Sequence, residues 1–410
     1  RERYGRAEEL FAAAGDRDGL AAAVRGRAQA AHFDGDYEAA YEAASRACAI
    51  AARGGDPIAK AKALMDVGNA LDALGGSDAV LDHYRVAGDL FRAHDDVHGE
   101  ANVRTNLAVA LRRRGDLDAA ERTASRALDG YRTVGDEHRE AVSLLNLSTV
   151  AEQRGAVGEA VARAADARRI AERLGSDMYE GFALSHLGSA AHLAGDLDRA
   201  ERFLTAALDL FDALDADARS GMVTAILAEV AIDGGDLDAA DRRIERTGSL
   251  LDDHAGRKRL AETDRIRGRL ALARGDPEAA AEALEAAVEA AREGGFTQVE
   301  AQALAALGEV AAERGDVKEA ANRLTEALDL GRRIEDARAT VAAADRLTDL
   351  LSGSGDAGKI DREALREALA ESPAEAVPAE SATDPAAYRE VADRWRVGGD
   401  GVGAAYPALG

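Results

Sequence analysis

Small and apolar residues recur along this chain at steps of three and four, which is the spacing of an amphipathic helix. Residues 101–114 follow it at these positions: Val103, Leu107, Ala108, Ala110 and Leu111. Gly115 ends the helix, as a helix C-terminus requires, and Asp116 offers an oxygen to the first N–H groups of the next helix. That second helix, over about residues 117–134, has its own apolar face: Leu117, Ala120, Ala124, Ala127, Leu128 and Tyr131. Small residues at 108, 120 and 127 predict a tight antiparallel hairpin.

The glycine that ends the first helix returns every 40 residues. It stands at Gly35, Gly75, Gly115, Gly155, Gly195, Gly235, Gly275 and Gly315. A second set of breaks lies half a period away, at Gly15, Gly55, Asp95, Gly135, Gly175, Asp215, Gly256, Gly295 and Asp336. A fixed period of this length is the signature of a solenoid. The sequence therefore predicts an all-α solenoid of antiparallel helix hairpins, coiled as a right-handed superhelix.

The unit resembles the tetratricopeptide repeat (TPR). In that family Leu and Gly lie mid-way along the first helix, Gly-Asp closes it, and alanines mark the second helix. The matching residues of one unit are Leu107, Ala108, Gly115, Ala120 and Ala127. Two features differ: the usual TPR unit has about 34 residues, and the proline that ends its second helix is missing here. The resemblance is to the long-repeat branch found in bacterial and archaeal regulators and in some eukaryotic scaffolds.

Residues 1–371 are predicted to form the TPR superhelix. They divide into a partial N-terminal repeat (1–14), about eight full repeats (17–336) and a degenerate capping repeat (337–371), as terminal repeats of a solenoid often are. The first helix of the partial repeat is missing, so we expect Arg1 to mark a cut through a longer protein.

The C-terminal part has a different composition. Prolines predict an extended linker over residues 372–384, followed by residues 385–410, a short helix with Trp395 and a flexible glycine-rich tail. The Trp395 helix and the uncovered N-terminal repeat are the two surfaces from which self-association is predicted.

The chain is strongly acidic, with 76 Asp and Glu against 52 Lys and Arg and a net charge of −24. Such a surface repels phosphate backbones, so nucleic acid is not an expected partner. Only five basic residues are Lys. Solvated carboxylates in excess, with so few lysines, suit a protein that stays soluble in concentrated salt. We expect the source to be a halophilic archaeon.

Several sequence features bound the location and the chemistry. Cys48 is the only cysteine, which excludes an intrachain disulfide and a thiolate metal cluster; on an apolar helix face, its thiol is expected to be buried and inert. No run approaches the 18 apolar residues of a membrane span, and no signal peptide is visible. The predicted location is the cytoplasm, with no membrane partner.

Two motifs weakly suggest a cofactor or metal. His94 and His98 flank a pair of aspartates, but they straddle a predicted turn, and a solvated turn is the favoured interpretation over a metal site. Residues 398–403 carry a loose dinucleotide-like glycine pattern without a strand before it or a helix after it, so we interpret them as tail. No catalytic order of residues stands out. We predict no enzyme activity, no metal and no cofactor.

In TPR proteins the first helix of each hairpin lines a concave groove, and in some of them an Asn just before its Leu forms a ladder that holds a peptide backbone. Asn106 and Asn146 occupy that slot. An amide both donates and accepts, as a peptide unit does, and Arg112 with Arg113 would suit a carboxylate. The predicted binding residues are Asn69, Asn102, Thr105, Asn106, Arg112, Arg113, Asn146, Thr149 and His186. The alternative is that these residues are polar only for solubility.

From the sixth hairpin the same face becomes more apolar, at Met222, Ala225, Ile226, Glu229 and Ile232. This stretch is predicted to seat a hydrophobic side chain or the Trp395 helix.

Two hypotheses for function follow. The first is a non-catalytic protein-interaction scaffold that binds a peptide or a partner's helix in the groove. The alternative is the sensor or regulatory TPR region of a larger signalling protein, such as an ATPase-type transcriptional regulator, with its effector domain upstream. The sequence that precedes Arg1 distinguishes them.

Overall fold

The structure of the protein is a computed structural model that describes residues 2–75, 78–250, 257–352, 364–366, 369, 377 and 381–395. The predicted break at Gly256, the glycine pattern at 398–403 and most of the predicted linker and capping helix lie outside these residues. The described residues form α-helices joined by short turns, and no strand occurs among them. They belong to two compact units, residues 1–146 and 147–410.

Unit 1 begins with a single helix, which is followed by hairpins. Its helices are α1 (Glu2–Ala14), α2 (Arg17–Phe33), α3 (Tyr37–Gly54), α4 (Pro57–Ala73), α5 (Asp78–Ala93), α6 (Val97–Arg113) and α7 (Leu117–Val134). The unit boundary falls inside the next helix, α8 (Glu137–Gln153).

Unit 2 continues the same alternation. Its helices are α9 (Val157–Leu174), α10 (Asp177–Leu193), α11 (Leu197–Ala213), α12 (Asp217–Asp233), α13 (Leu237–Leu250), α14 (Arg257–Ala273), α15 (Pro277–Gly294), α16 (Thr297–Arg314), α17 (Val317–Arg333), α18 (Ala337–Ser352) and α19 (Pro385–Trp395). Across the described residues, eight hairpins run from α2/α3 to α16/α17. The predicted all-α solenoid of repeated hairpins is confirmed.

The turns follow the predicted chemistry. Gly115 has a φ of 82°, a left-handed conformation that costs glycine nothing, and the Asp116 side chain accepts a hydrogen bond from the N–H of Ala119 at 3.1 Å. Within the ranges that the structure describes, three residues other than glycine adopt this conformation: Asp95, Asp215 and Glu335. At the last turn the left-handed residue is therefore Glu335, while Asp336 caps α18 by accepting from the N–H of Ala339 at 2.8 Å.

In four of the described hairpins a glycine of the first helix meets a large side chain of the second helix. A Cβ atom added at Gly68 would lie 2.5 Å from the Tyr84 ring, and one added at Gly188 would lie 2.5 Å from Leu204. Both distances are too short for any side chain. The repeat thus needs glycine at these positions because its partner helix fills the space with an aromatic or branched residue.

The C-terminal helix α19 packs against α18. Tyr388 of α19 is fully buried in the same cluster as Leu347 of α18, and its hydroxyl donates to the carbonyl of Ala382 at 3.0 Å. Burial, with a contribution from Asp329, raises the pKa of Tyr388 to about 12. The α19 helix therefore covers the apolar face of α18.

Candidate functional site

The predicted binding residues of unit 1 include two asparagines that contact each other. Asn106 of α6 donates from Nδ2 to Oδ1 of Asn69 on α4 at 2.8 Å. Tyr84 donates its hydroxyl to the same oxygen at 2.8 Å, so both lone pairs of that oxygen are used. Among the described residues, the amide nitrogen of Asn69 and the carbonyl oxygen of Asn106 have no hydrogen-bond partner. The pair therefore presents one free donor and one free acceptor.

The hairpin itself fixes this geometry. Tyr84 comes from α5, is 2% exposed and lies over Gly68, the residue before Asn69. Burial, reinforced by the nearby Asp72 carboxylate, raises the pKa of Tyr84, so its hydroxyl stays protonated and remains a donor. The orientation of Asn69 thus depends on a buried contact rather than on solvent-exposed groups.

Asn102, on the next turn of α6, is held at both ends of its amide. Its Oδ1 accepts from the hydroxyl of Tyr131 at 2.9 Å, and its Nδ2 donates to Nδ1 of His98 at 3.2 Å. Because that ring nitrogen accepts, the other, Nε2, carries the proton and donates to Asp136 at 3.0 Å. Asn102 is therefore a structural link between the helix and its neighbours. We call Asn69, Asn102 and Asn106, with Tyr84 and Tyr131, the amide wall.

The expected exposure of Thr105 in the groove is wrong. Its side chain is 8% exposed, donates to the carbonyl of Ala101 at 3.0 Å and lies 3.1 Å from the hydroxyl of Tyr131. This hydroxyl lies inside the hairpin, next to Tyr131 of the second helix, and does not face the groove.

The predicted cationic spot is paired within the chain. Arg113 forms an ion pair with Asp72 on the preceding first helix, while Arg112 is half-buried. Asp66, 7% exposed, binds Arg25 at 2.8 Å, and its pKa is raised because burial outweighs that pairing. Asn146 is half-buried and ends unit 1. The wall of unit 1 is thus polar but locally neutral.

Thr149 and His186 lie in unit 2. Thr149 is half-buried. His186 donates from Nδ1 to the carboxylate of Glu152 at 2.7 Å. The two residues lie on neighbouring first helices of the unit, α8 and α10.

The stretch of unit 2 that was predicted to be apolar contributes Glu229 to a buried ion cluster. Glu229 of α12 is 4% exposed, forms an ion pair with Arg265 of α14 and binds Arg338 of α18 at 3.2 Å. Burial opposes the charge, but Arg265, Arg338 and further cations outweigh it and hold the pKa of Glu229 well below its usual range. The apolar interpretation is wrong at this residue.

The cluster continues one helical turn further along α12. His192, 8% exposed, donates from Nε2 to Asp233 at 2.7 Å, and Arg269 binds the same carboxylate at 2.6 Å. Burial is again outweighed, by His192 and Arg269, and the pKa of Asp233 is lowered. We call Glu229, Asp233, His192, Arg265, Arg269 and Arg338 the charged wall. Met222, 42% exposed, is the apolar residue of this stretch that faces solvent.

A signal for these contacts exists in the sequence. The opposite charges at 229 and 265, and at 233 and 269, are 36 residues apart, and the two asparagines of the amide wall are 37 apart. A separation just short of one period places two residues on adjacent first helices. Complementary side chains at this spacing predict a wall contact.

Comparisons with known families identify the repeat. Models of the tetratricopeptide repeat match residues 99–173 and also residues 181–204, 221–246, 261–286 and 301–325. The chain therefore carries tetratricopeptide repeats, as the sequence pattern predicted. No curated protein sequence matches it. The helices found in the described residues include none with the length and apolar character needed to cross a membrane.

Solved structures share the fold at low sequence identity. A Rap protein complexed with competence and sporulation factor aligns with a TM-score of 0.55 and 14% identity over 77% of this chain and 98% of its own. The Rap conjugation gene regulator of plasmid pLS20, in complex with the Phr* peptide, gives 0.59 and 14% over 71% and 78%. The apo quorum sensor NprR of Bacillus thuringiensis gives 0.54 and 15% over 79% and 91%.

Proposed function

We propose that this protein is a non-catalytic, cytoplasmic interaction protein that binds an extended peptide segment of a partner along the amide wall of unit 1. The observation that carries the proposal is the Asn69–Asn106 pair, with its free amide nitrogen and free carbonyl oxygen. A peptide unit presents a carbonyl and an N–H, so the pair can accept and donate one hydrogen bond each to the main chain. Main-chain contacts of this kind hold a backbone with little selection for side chains.

The solved neighbours support this class of ligand. Two of them are complexes, one with competence and sporulation factor and one with the Phr* peptide. The charge of the chain supports it as well, because a net charge of −24 disfavours a nucleic-acid partner. A peptide carrying a basic side chain would gain from the net negative charge of the chain, whereas an acidic peptide would have to compete for Arg112 or displace Asp72 from Arg113.

The test begins with a peptide selected from a random displayed library on the full chain at high salt. Its affinity is then measured by calorimetry for Asn69→Ala with Asn106→Ala. Each lost amide contact is worth about 0.5–1.5 kcal/mol, so affinity should fall by roughly one order of magnitude. Asn106→Ala with Asn146→Ala should have an effect of similar size if the ladder extends to α8. Arg113→Glu should weaken the binding of an acidic peptide more strongly, because it adds a repulsive charge.

Asn322→Ala is the matched control, because Asn322 is exposed on a second helix, α17. Asn102→Ala sharpens the assignment, since the Asn102 amide is already engaged at both ends and its loss should change affinity little. Wild-type affinity in every asparagine variant would place the site elsewhere, and we would then examine the surface around Met222 and Ile226.

A second candidate function is that of a regulatory region in a longer signalling protein. Two structural neighbours are a quorum sensor and a gene regulator, and either role would couple peptide binding to an attached effector. The genomic sequence before Arg1 tests this: a nucleotide-binding or DNA-binding domain there would support it, and further TPR units or a nearby start codon would oppose it.

A further inference from the structure

Residues far apart in the sequence meet within unit 2. Repeats of a solenoid normally contact only their neighbours. Here Gln153, at the end of α8, donates from Nε2 to the carbonyl oxygen of Ile334 at 2.7 Å across a separation of 181 residues. The adjacent Arg154 binds Glu335 at 3.4 Å. The turn between α17 and α18 therefore contacts a helix more than four periods earlier.

The same segment also inserts a cation into the charged wall. Arg338, in the first turn of α18, binds Glu229 at 3.2 Å and donates from Nη2 to Nδ1 of His192 at 3.4 Å. These partners precede it by 109 and 146 residues. The segment 334–338 thus supplies a carbonyl, a carboxylate and a guanidinium to three earlier first helices, α8, α10 and α12.

The backbone of Glu335 adopts a strained conformation. Its φ is 52°, in the left-handed region that disfavours residues other than glycine. The equivalent turns use glycine or, at residues 95 and 215, aspartate. Glycine would relieve the strain here but could not reach Arg154. Glu335 therefore combines a strained backbone with the long-range ion pair that its side chain makes.

We propose that the segment 334–338 is a latch, which closes unit 2 upon its own inner wall. Opening it would require breaking the contacts of the Arg338 guanidinium with Glu229 and of the Glu335 carboxylate with Arg154. The latch lies wholly in unit 2, so it does not depend on the peptide site proposed for unit 1.

The test measures the distance between spin labels on the two sides of the latch. Cysteines at the exposed positions Ala162 and Arg333 carry the labels in a Cys48→Ala background, and pulsed electron resonance gives the distance distribution. Glu335→Gly relieves the backbone strain at this turn and removes the ion pair with Arg154. Glu335→Gly with Arg338→Gln removes both charged contacts. The matched control, Asp215→Gly, relieves an equivalent left-handed turn at an exposed residue whose side chain makes no hydrogen bond or ion pair within the described part of the chain.

A single narrow distance is expected for the wild type and for Asp215→Gly. Glu335→Gly should add a longer component, and the double variant should shift the mean outward by at least about one helical turn, roughly 5 Å. Circular dichroism checks that the helices persist. Should the double variant fail to fold, Glu335→Gly alone decides the outcome, because glycine favours its turn. Distributions like those of the control in both variants would overturn the latch.

Discussion

The two units use the same repeat but line their inner walls with different chemistry. The amide wall of unit 1 consists of neutral groups, some of which retain free hydrogen-bonding capacity. The charged wall of unit 2 consists of buried ions that bind one another. A buried charge is tolerated only when it is paired, so a charged wall is committed to internal contacts. A neutral amide can stay half-buried with a free donor or acceptor at lower cost. In an acidic repeat protein, asparagines are therefore better markers of a ligand site than charges.

The largest effect should come from Glu229→Gln. Removing one partner of a buried ion pair leaves uncompensated charge, here on Arg265 and Arg338, which typically costs about 3–5 kcal/mol. We expect a loss of this order in the free energy of unfolding at neutral pH, measured by urea titration of the full chain. Glu282→Gln, which changes an exposed glutamate of α15, is the matched control and should change stability little.

The comparison of the wild type with Glu229→Gln also predicts a pH dependence of stability. The folded-state pKa of Glu229 is depressed below its ordinary value of 4.5, so its contribution to stability is present above pH 4.5 and is lost as the pH falls toward the folded-state pKa. The difference in free energy of unfolding between the wild type and Glu229→Gln should therefore become smaller below pH 4.5. Taking the difference removes the contributions of Glu309 and Asp336, whose pKa values burial raises. A gap that stays constant or widens in acid would contradict the charged-wall description.

A smaller effect should come from Gly68→Ala in unit 1 and Gly188→Ala in unit 2. In each case the new methyl group would lie 2.5 Å from a buried side chain, Tyr84 or Leu204, and overpacking of this kind costs about 1–3 kcal/mol. Only Gly68→Ala should also weaken binding of the selected peptide, because it displaces the Tyr84 hydroxyl that orients Asn69. Calorimetry measures the affinity for the peptide and urea unfolding measures the stability, so the two effects can be told apart. Equal losses of affinity in both variants would remove the distinction between the walls.

The smallest effect should come from salt on the whole chain. Repulsion at a net charge of −24 weakens as the Debye length falls from about 10 Å at 0.1 M to about 3 Å at 1 M. We expect a higher thermal midpoint in about 2 M KCl than in about 0.1 M KCl. Calorimetric scans in the two buffers provide the measurement. An equal or lower midpoint at high salt would rule out the halophilic origin inferred from composition.

The hairpin could be predicted from sequence because its determinants are local. Gly115 and Asp116 define a helix end and a helix start by their own conformations, and the period repeats them. The wall was only partly predictable. Periodicity identified the face of α6 that carries Asn106, but not that Tyr131 on the second helix would bury Thr105. Contacts such as Glu229 with Arg338 depend on how the repeats stack, which no single repeat encodes.

The latch also bears on how the array can change length during evolution. Repeat proteins gain or lose whole units by duplication and deletion. In unit 1 the described wall contacts, such as those of Asn69 with Asn106 and Asp72 with Arg113, span about one period, 37 and 41 residues, so an added hairpin would re-form contacts of the same kind. The contact between Gln153 and Ile334 spans 181 residues, and one unit more or fewer between them would separate the two. The number of hairpins between α8 and α18 is therefore constrained, whereas the number before α8 is free to vary.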